Sequence, residues 1–298
     1  MAFQIKFHHL QAFVEVARQG SIRGAGRTLE RSQPGLTKTI KELETGLAIQ
    51  LFVRRREGVM LTEIGKGFYQ HASLILEELR VAQEDIQQQQ GELSGCINIG
   101  LSPSVANTLM PPIIHHFYRQ YPHARVKVLE GSLGFLVGEL RQGRLDFTIN
   151  THSPDTFNQD LVFEKVFEKT YAIFARRDHP MAQATSVAEL LQCDWTVPTS
   201  HNGYFQALLK SAGADPMRLS IDVVCESISS TAGLVRQSDF LTILPIDCPE
   251  VEYGLVQIPI AETLPQVPYY LVQRRDIQQT LLAALLISRF RKASQLAG

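Results

Sequence analysis

The residues with the clearest chemical promise lie along one short segment, Arg31 to Leu43, which reads RSQPGLTKTIKEL. Leu36, Ile40 and Leu43 recur at helical spacing, and Thr37, Lys38 and Lys41 fall on the other side. A helix of this kind buries one stripe and leaves the opposite flank to a partner. On that flank, Gln33 and Thr37 can bond base edges or phosphates, and Lys38 and Lys41 can neutralise phosphates or reach guanine. Ser32 is placed to cap the helix, and Pro34 suits its first turn, where a missing N–H costs nothing. The helix N-terminus adds a partial positive charge toward a nucleic-acid backbone. A little further on, Arg54, Arg55 and Arg56 sit in LFVRRREGVMLTEIG, where two β-prone runs flank Gly58. That pattern predicts a small hairpin whose arginines grip phosphates or the minor groove.

A second group of polar residues falls in the C-terminal two-thirds. Ser102 and Ser104 follow one β-prone run, Thr151 ends another (DFTINT), and Thr199 and Ser200 end a third (WTVP). Ligands of open α/β sheets gather at strand carboxyl ends and helix N-termini. These hydroxyls are therefore candidates to hold a small anion with nearby backbone N–H groups. Each can equally cap a helix or turn, which does not exclude ligand contact. Phe205 and Ile228 are candidates for an apolar wall, and His201 and Arg236 for cations.

Catalytic signatures are absent. There is no G-x-S-x-G elbow, no H-E-x-x-H, no P-loop and no dinucleotide fingerprint. His8-His9 and His115-His116 are adjacent pairs, and helical neighbours point about 100° apart, which makes them poor chelators. Four widely spaced cysteines, Cys96, Cys193, Cys225 and Cys248, form no Cys-x-x-Cys pair and suit buried reduced thiols. No metal, cofactor or enzymatic activity is expected.

The overall charge of -1 conceals a division. Residues 1–62 carry a net +5, residues 63–96 a net -4, and residues 97–298 a net -2. A cationic module on an otherwise acidic chain points to a polyanionic partner. No apolar run approaches the roughly 20 residues that span a membrane. The N-terminal segment lacks the apolar stretch of a secretory signal, so a cytoplasmic location is expected.

The positioning elements follow from periodicity. Leu10, Phe13, Val14 and Ala17 mark one helix, ended by Gly20. Ser21 caps the next, with Ile22, Ala25 and Leu29 inward. A tight turn at Glu30 and Arg31 leads to the Ser32 helix, completing a helix-turn-helix. From Glu63 to Gln90 there is no proline, and Phe68, Ala72, Ile75, Leu79, Ala82 and Ile86 step by heptad spacing. About 25 residues of such a helix run roughly 37 Å. One copy would leave its apolar edge in water, so pairing with a second copy is expected. Gly91 and Gly95 then frame a joint.

Beyond the joint, β-prone and helical runs alternate. Strands are expected at 96–101, 126–130, 147–151 and through 161–175, with helices from Ser102 to about Tyr121 and at 135–140. Further strands are expected near 195–198, 222–225, 240–244 and 269–276, with helices at 203–211, 231–238 and 281–290. Alternation of this kind predicts a parallel α/β sheet. An interruption near the middle allows two lobes with a cleft.

The stretch FVEVARQGSIRGAGRTLERSQPGLTKTIKELETGLAIQLFVRRREGVMLTEIG resembles the signature of LysR-type transcriptional regulators. Matching positions include Phe13, Gly20, Ser21, Ala25, Leu29, Ser32, Gln33, Pro34, Ile40, Leu43, Glu44, Leu47, Leu51, Phe52, Arg54, Leu61, Thr62 and Gly65. Gly26, Gly35 and Ala48 depart, standing where the family usually has Ala, Ala and Gly. Gly35 lowers helix propensity by roughly 0.5–1 kcal/mol. The resemblance implies a winged helix-turn-helix over 1–62, a dimerising linker helix and hinge over 63–95, and an effector-binding domain over 96–298. That domain would have two α/β lobes of periplasmic-binding-protein type, 96–165 with 267–298, and 166–266. The chain would cross between them near Phe163–Lys169 and Gln266–Tyr269. The implied partners are double-stranded DNA, a small-molecule effector held between the lobes and further copies of the chain, as a homodimer and a homotetramer. In the family, residues matching Gln33, Pro34, Thr37 and Lys38 usually meet DNA. Two other readings fit the residues less fully: a small-molecule binding protein whose N-terminal helices serve protein contacts, and an enzyme with an appended helical dimerisation unit.

Overall fold

The structure is a computed structural model that describes residues 3–55, 58–89, 93–151, 159–198, 221–225, 227–249, 254–275 and 277–296. By internal contacts the chain divides into two compact units, Met1–Gln90 with Arg141–Arg144, and Gly91–Leu140 with Leu145–Gly298.

The first unit begins with α1 (Phe7–Gln19), α2 (Ile22–Thr28) and α3 (Gln33–Leu47). Gly20 ends α1 at φ 58°, the left-handed cap conformation expected of it. Ser21 and Ser32 cap the next two helices, their Oγ atoms accepting from the Gly24 and Gly35 amides at 3.2 and 3.3 Å. A β-carbon at Gly35 would lie 3.1 Å from Ser32 Oγ, a tight contact that a shift of a few tenths of an ångström relieves. The core holds Leu10, Ala12, Phe13, Val16, Ala25, Leu36, Ile40, Leu43, Leu51 and Ala72. Ala12 and Val16 take inward places that the periodicity assigned to Val14 and Ala17, both only half-buried.

The hairpin pairs β1 (Phe52–Arg55) with β2 (Gly58–Leu61), with Arg55 opposite Gly58. The Val59 amide donates to the Gly20 carbonyl at 2.9 Å, which fastens the hairpin to the turn after α1. A single helix, α4 (Glu63–Gln89), follows. Its expected apolar seam divides: Ala72 is buried in the unit's core and Phe68 packs against it, while Ile75, Leu79, Ala82 and Ile86 are exposed.

The second unit contains a five-stranded sheet in the order β4-β3-β5-β12-β6. Its strands are β3 (Gly95–Leu101), β4 (Ala124–Glu130), β5 (Phe147–Thr151), β6 (Leu161–Lys169) and β12 (Val267–Arg274). Helices α5 (Pro103–Thr108), α6 (Met110–Gln120) and α7 (Leu133–Arg141) belong with it, as does α9 (Leu281–Leu296). β3 is parallel to β4 and β5, but β12 runs antiparallel to β5 and β6, so the sheet is mixed rather than parallel as expected. The helix expected from Ser102 to Tyr121 is broken at Leu109. Pro111 and Pro112 lack the N–H groups needed to continue α5 and instead open α6.

The chain leaves this sheet after Lys169 and enters a second one, β10-β7-β11, in which β7 (Tyr171–Arg176) pairs antiparallel with β10 (Thr242–Pro245) and β11 (Leu255–Gln257). β8 (Trp195–Pro198) and β9 (Ile221–Cys225) form a parallel pair beside it, bridged through Trp195 to Leu241, and α8 (Ile228–Arg236) covers the second sheet. The return to β12 makes the second crossing. Among the described residues, no helix is long and apolar enough to cross a membrane.

Candidate functional site

The outer flank of α3 is open in the way the sequence requires. Leu36 and Leu43 are wholly buried and Ile40 nearly so, while Ser32, Gln33, Pro34, Lys38 and Lys41 are exposed. Thr37 is half-buried, and its hydroxyl donates to the Gln33 carbonyl at 2.9 Å. That bond uses the hydroxyl proton and leaves the oxygen able to accept. Lys38 stands 3.9 Å from Glu42 across one turn of exposed helix, a pairing that water and salt readily replace.

Arg54 and Arg55 are exposed on β1. Their strand is set by a residue to which the sequence reading gave no role. Glu44, near the end of α3, accepts from the Leu51 and Phe52 amides at 2.7 and 3.0 Å. One carboxylate therefore joins the helix to the strand that carries the arginines. Arg56 lies outside the described residues.

The adjacent histidines behave differently from expectation. The His8 and His9 rings are 4.3 Å apart, and their nitrogens and the Glu42 carboxylate lie within 4.8 Å of one another. The cluster still favours a structural reading. His9 Nδ1 accepts from the Lys6 amide at 3.2 Å, which leaves the ring proton on Nε2, toward Glu42 at 3.8 Å. Burial lowers the His9 pKa, His8 lowers it further, and Glu42 opposes them.

In the second unit, Ser102 is buried and caps α5, accepting from the Val105 amide at 3.4 Å. Ser104 is buried too, and its hydroxyl has no hydrogen bond of good geometry. Both lie by Tyr269, whose hydroxyl is 2.7 Å from that of Tyr171. Burial pushes the Tyr269 phenol up, and the hydroxyls of Ser104, Tyr171 and Ser102 pull it back. Thr151 is half-buried at the end of β5, where its amide donates to Asn150 Oδ1 at 2.8 Å. Ile228 is packed in the second lobe's core with Ala172, Phe174 and Leu244, and Arg236 is exposed at the far end of the same helix. Thr199, Ser200, His201 and Phe205 lie outside the described residues.

A polar cluster that no sequence motif marks lies where the chain crosses between lobes. Lys169, 6 % exposed, donates to Thr108 Oγ1 at 2.6 Å and to Asp247 Oδ2 at 2.7 Å. Burial lowers its pKa, and Asp247 works against that shift. Beside it opens a cavity of about 620 Å³ lined by Leu109, residues 165–170, Ile246, Asp247 and Gln266. A lysine at the end of an otherwise alternating strand was the available signal. A bulge near Val166, where Tyr269 and Tyr270 face Phe167 and Lys165, obscures the alternation just before it.

Comparison with known proteins accounts for both units. Residues 7–66 match the family described as bacterial regulatory helix-turn-helix protein, lysR family, and residues 90–295 match the LysR substrate binding domain. The HTH-type transcriptional regulator TdcA of Escherichia coli K12 is 29% identical over 295 residues, covering 98% of this chain and 95% of its own. The regulator PcaQ of Agrobacterium fabrum is 28% identical over 299 residues, covering 98% and 96%. Among solved structures, full-length CbnR complexed with its target DNA superposes with a TM-score of 0.70 at 20% identity, covering 97% of this chain and 100% of CbnR. A full-length OxyR variant from Pseudomonas aeruginosa gives 0.73 at 20% identity, covering 98% and 95%. The chain belongs to the LysR family of DNA-binding transcriptional regulators, with a helix-turn-helix at its N-terminus and a substrate-binding domain after it.

Proposed function

We propose that residues 1–62 read a promoter through Ser32, Gln33, Pro34, Thr37, Lys38 and Lys41 in the major groove, while Arg54, Arg55 and Arg56 hold phosphates beside it. The observation that carries this reading is the division of α3, with Leu36 and Leu43 at 0% exposure and Gln33, Lys38 and Lys41 exposed opposite them. Residues 63–95 pair two copies. Ile75, Leu79 and Ile86 are 54%, 39% and 59% exposed on α4, and a second copy would cover them. Two paired recognition helices meet half-sites about one turn of DNA apart. Pairs of dimers then form a tetramer on longer sites.

Residues 96–298 bind a small anionic or aromatic carboxylate between their lobes, near Ser102, Ser104, Thr151, Thr199 and Ser200, with Phe205 and Ile228 as apolar neighbours. Several stretches, including FYQHASLILEELRVAQEDI and LRQGRLDFTINT, are also similar to the regulator of p-aminobenzoyl-glutamate utilisation, which favours a small aromatic amide or carboxylate. The effector changes promoter binding by preferring one arrangement of the lobes over another. The protein acts in the cytoplasm and uses no catalytic step of its own.

DNA binding measured against salt tests the first part. Affinity that falls steeply as salt rises supports phosphate neutralisation by a basic surface. Salt-independent binding, or none, refutes it. A thermal-shift screen of small carboxylates tests the second, since a ligand of the folded state raises its melting temperature.

A further inference from the structure

We propose that the cavity at the lobe crossing is a binding site for a small monocarboxylate with an apolar body, whose carboxylate takes the place of Asp247 on Lys169. The inference rests on the proposed carboxylate class of effector, gives it a charge partner, and places it at the crossing rather than at the Ser102 and Ser104 hydroxyls.

Burying a cation is costly. Lys169 is 6% exposed, and an ammonium so placed must be neutralised. Among the described residues its three N–H groups have two acceptors, the Asp247 carboxylate and the Thr108 hydroxyl. Asp247 is 47% exposed, so the two partners are unequal. On separation, Asp247 returns readily to bulk water, while Lys169 is left to find its acceptor in the cavity. A ligand carboxylate that enters the cavity therefore meets a cation that needs it, and displaces an anion with somewhere else to go.

The surroundings define the rest of the ligand. Lys165 and Glu168, also at the cavity, lie 2.7 Å apart and offset each other. Once Asp247 has left, Lys169 gives the site one net positive charge, which suits a monoanion. Leu109, Val166, Phe167 and Ile246 supply apolar wall. The volume of about 620 Å³ falls within the range of small-molecule sites.

The location gives binding a consequence. Thr108 follows β3 in the first lobe, Lys169 ends β6, and Asp247 follows β10 in the second lobe. The ion pair is thus a tie across the crossing. Exchange of Asp247 for a ligand carboxylate replaces that tie with one that runs through the ligand.

The test is calorimetric titration of the full-length protein with benzoate and 3-methylbutanoate, with benzamide as the neutral control. Wild type is expected to bind the carboxylates and not the amide. Lys169→Met should lose about tenfold or more in affinity, and Asp247→Asn, which removes the competing charge, should gain about tenfold. Unchanged binding by Lys169→Met, weaker binding by Asp247→Asn, or no carboxylate binding by either wild type or Asp247→Asn overturns the proposal. Ser104→Ala separates the two sites. Binding lost there but intact in Lys169→Met refutes the crossing cavity and leaves an effector at the hydroxyls. Benzoate that binds through Lys169 without altering DNA affinity supports the cavity and refutes its role as the regulatory effector site.

Discussion

Glu44→Ala is the sharpest structural perturbation available in the DNA-binding unit. Its carboxylate takes the Leu51 and Phe52 amides at 2.7 and 3.0 Å, where Leu51 is 1% exposed. A hydrogen bond to a charged group contributes about 1.5–3 kcal/mol, and an amide left dry without a partner costs a further penalty. Strand β1 can relax toward water and recover part of this, so the net loss should be about 3 kcal/mol. Glu44→Gln keeps one acceptor oxygen and should lose about half as much. Hydrogen exchange at the Leu51 and Phe52 amides reads the effect locally. Protection should fall about a hundredfold in Glu44→Ala, with a smaller fall in Glu44→Gln. DNA affinity should fall on all sequences alike, because β1 also carries Arg54 and Arg55. Unchanged protection at both amides, together with stability within about 0.5 kcal/mol of wild type, would rule out this role for Glu44.

Leu36→Ala should destabilise the N-terminal unit by about 2–5 kcal/mol in equilibrium unfolding, because the side chain is wholly buried. Ala48→Gly should stabilise it by about 0.5–1 kcal/mol, since Ala48 ends α3 at φ 54°, where a β-carbon is strained. His9 has a lowered pKa in the fold, so the unfolded chain takes up a proton that the folded one refuses. Stability should therefore fall as pH drops through about 6.5, and His9→Gln, which keeps an acceptor for the Lys6 amide, should lessen that fall in unfolding curves measured against pH. Replacing Ile75 and Leu79 together by Glu should shift the full-length protein from dimer to monomer in sedimentation equilibrium.

The DNA-binding half was legible because its signals are local. Leu36, Ile40 and Leu43 announce a helix face, Ser32 announces its cap, and Gly20 and Gly58 mark the turns around it. Ala48 was noticed as a departure, and its left-handed backbone explains why a glycine is customary there. The break at Leu109 runs against the single helix expected through Tyr121, although Pro111 and Pro112, which cannot continue α5, signal it. The direction of β12 was not legible. It depends on where the chain returns after a long excursion through the second lobe, and no local pattern records that. The Lys169 cluster was hidden for the same reason: Thr108, Lys169 and Asp247 are separated by 61 and 78 residues, and only the crossing brings them together. Glu44 stands among the family matches, but its two amide partners lie seven and eight residues away, past the end of α3.

In the proposed complex the polar flank of α3 reads bases while the β1 arginines hold the backbone. Selection of preferred sites from a random DNA library, run on wild type, Gln33→Ala and Arg55→Ala, distinguishes the two roles. Gln33→Ala should relax preference at one or two positions, with about 1–3 kcal/mol of discrimination lost there. Arg55→Ala should keep the wild-type preference and bind every sequence more weakly, with a salt dependence shallower by about one ion. An unaltered preference in Gln33→Ala, or one altered only in Arg55→Ala, would contradict the account.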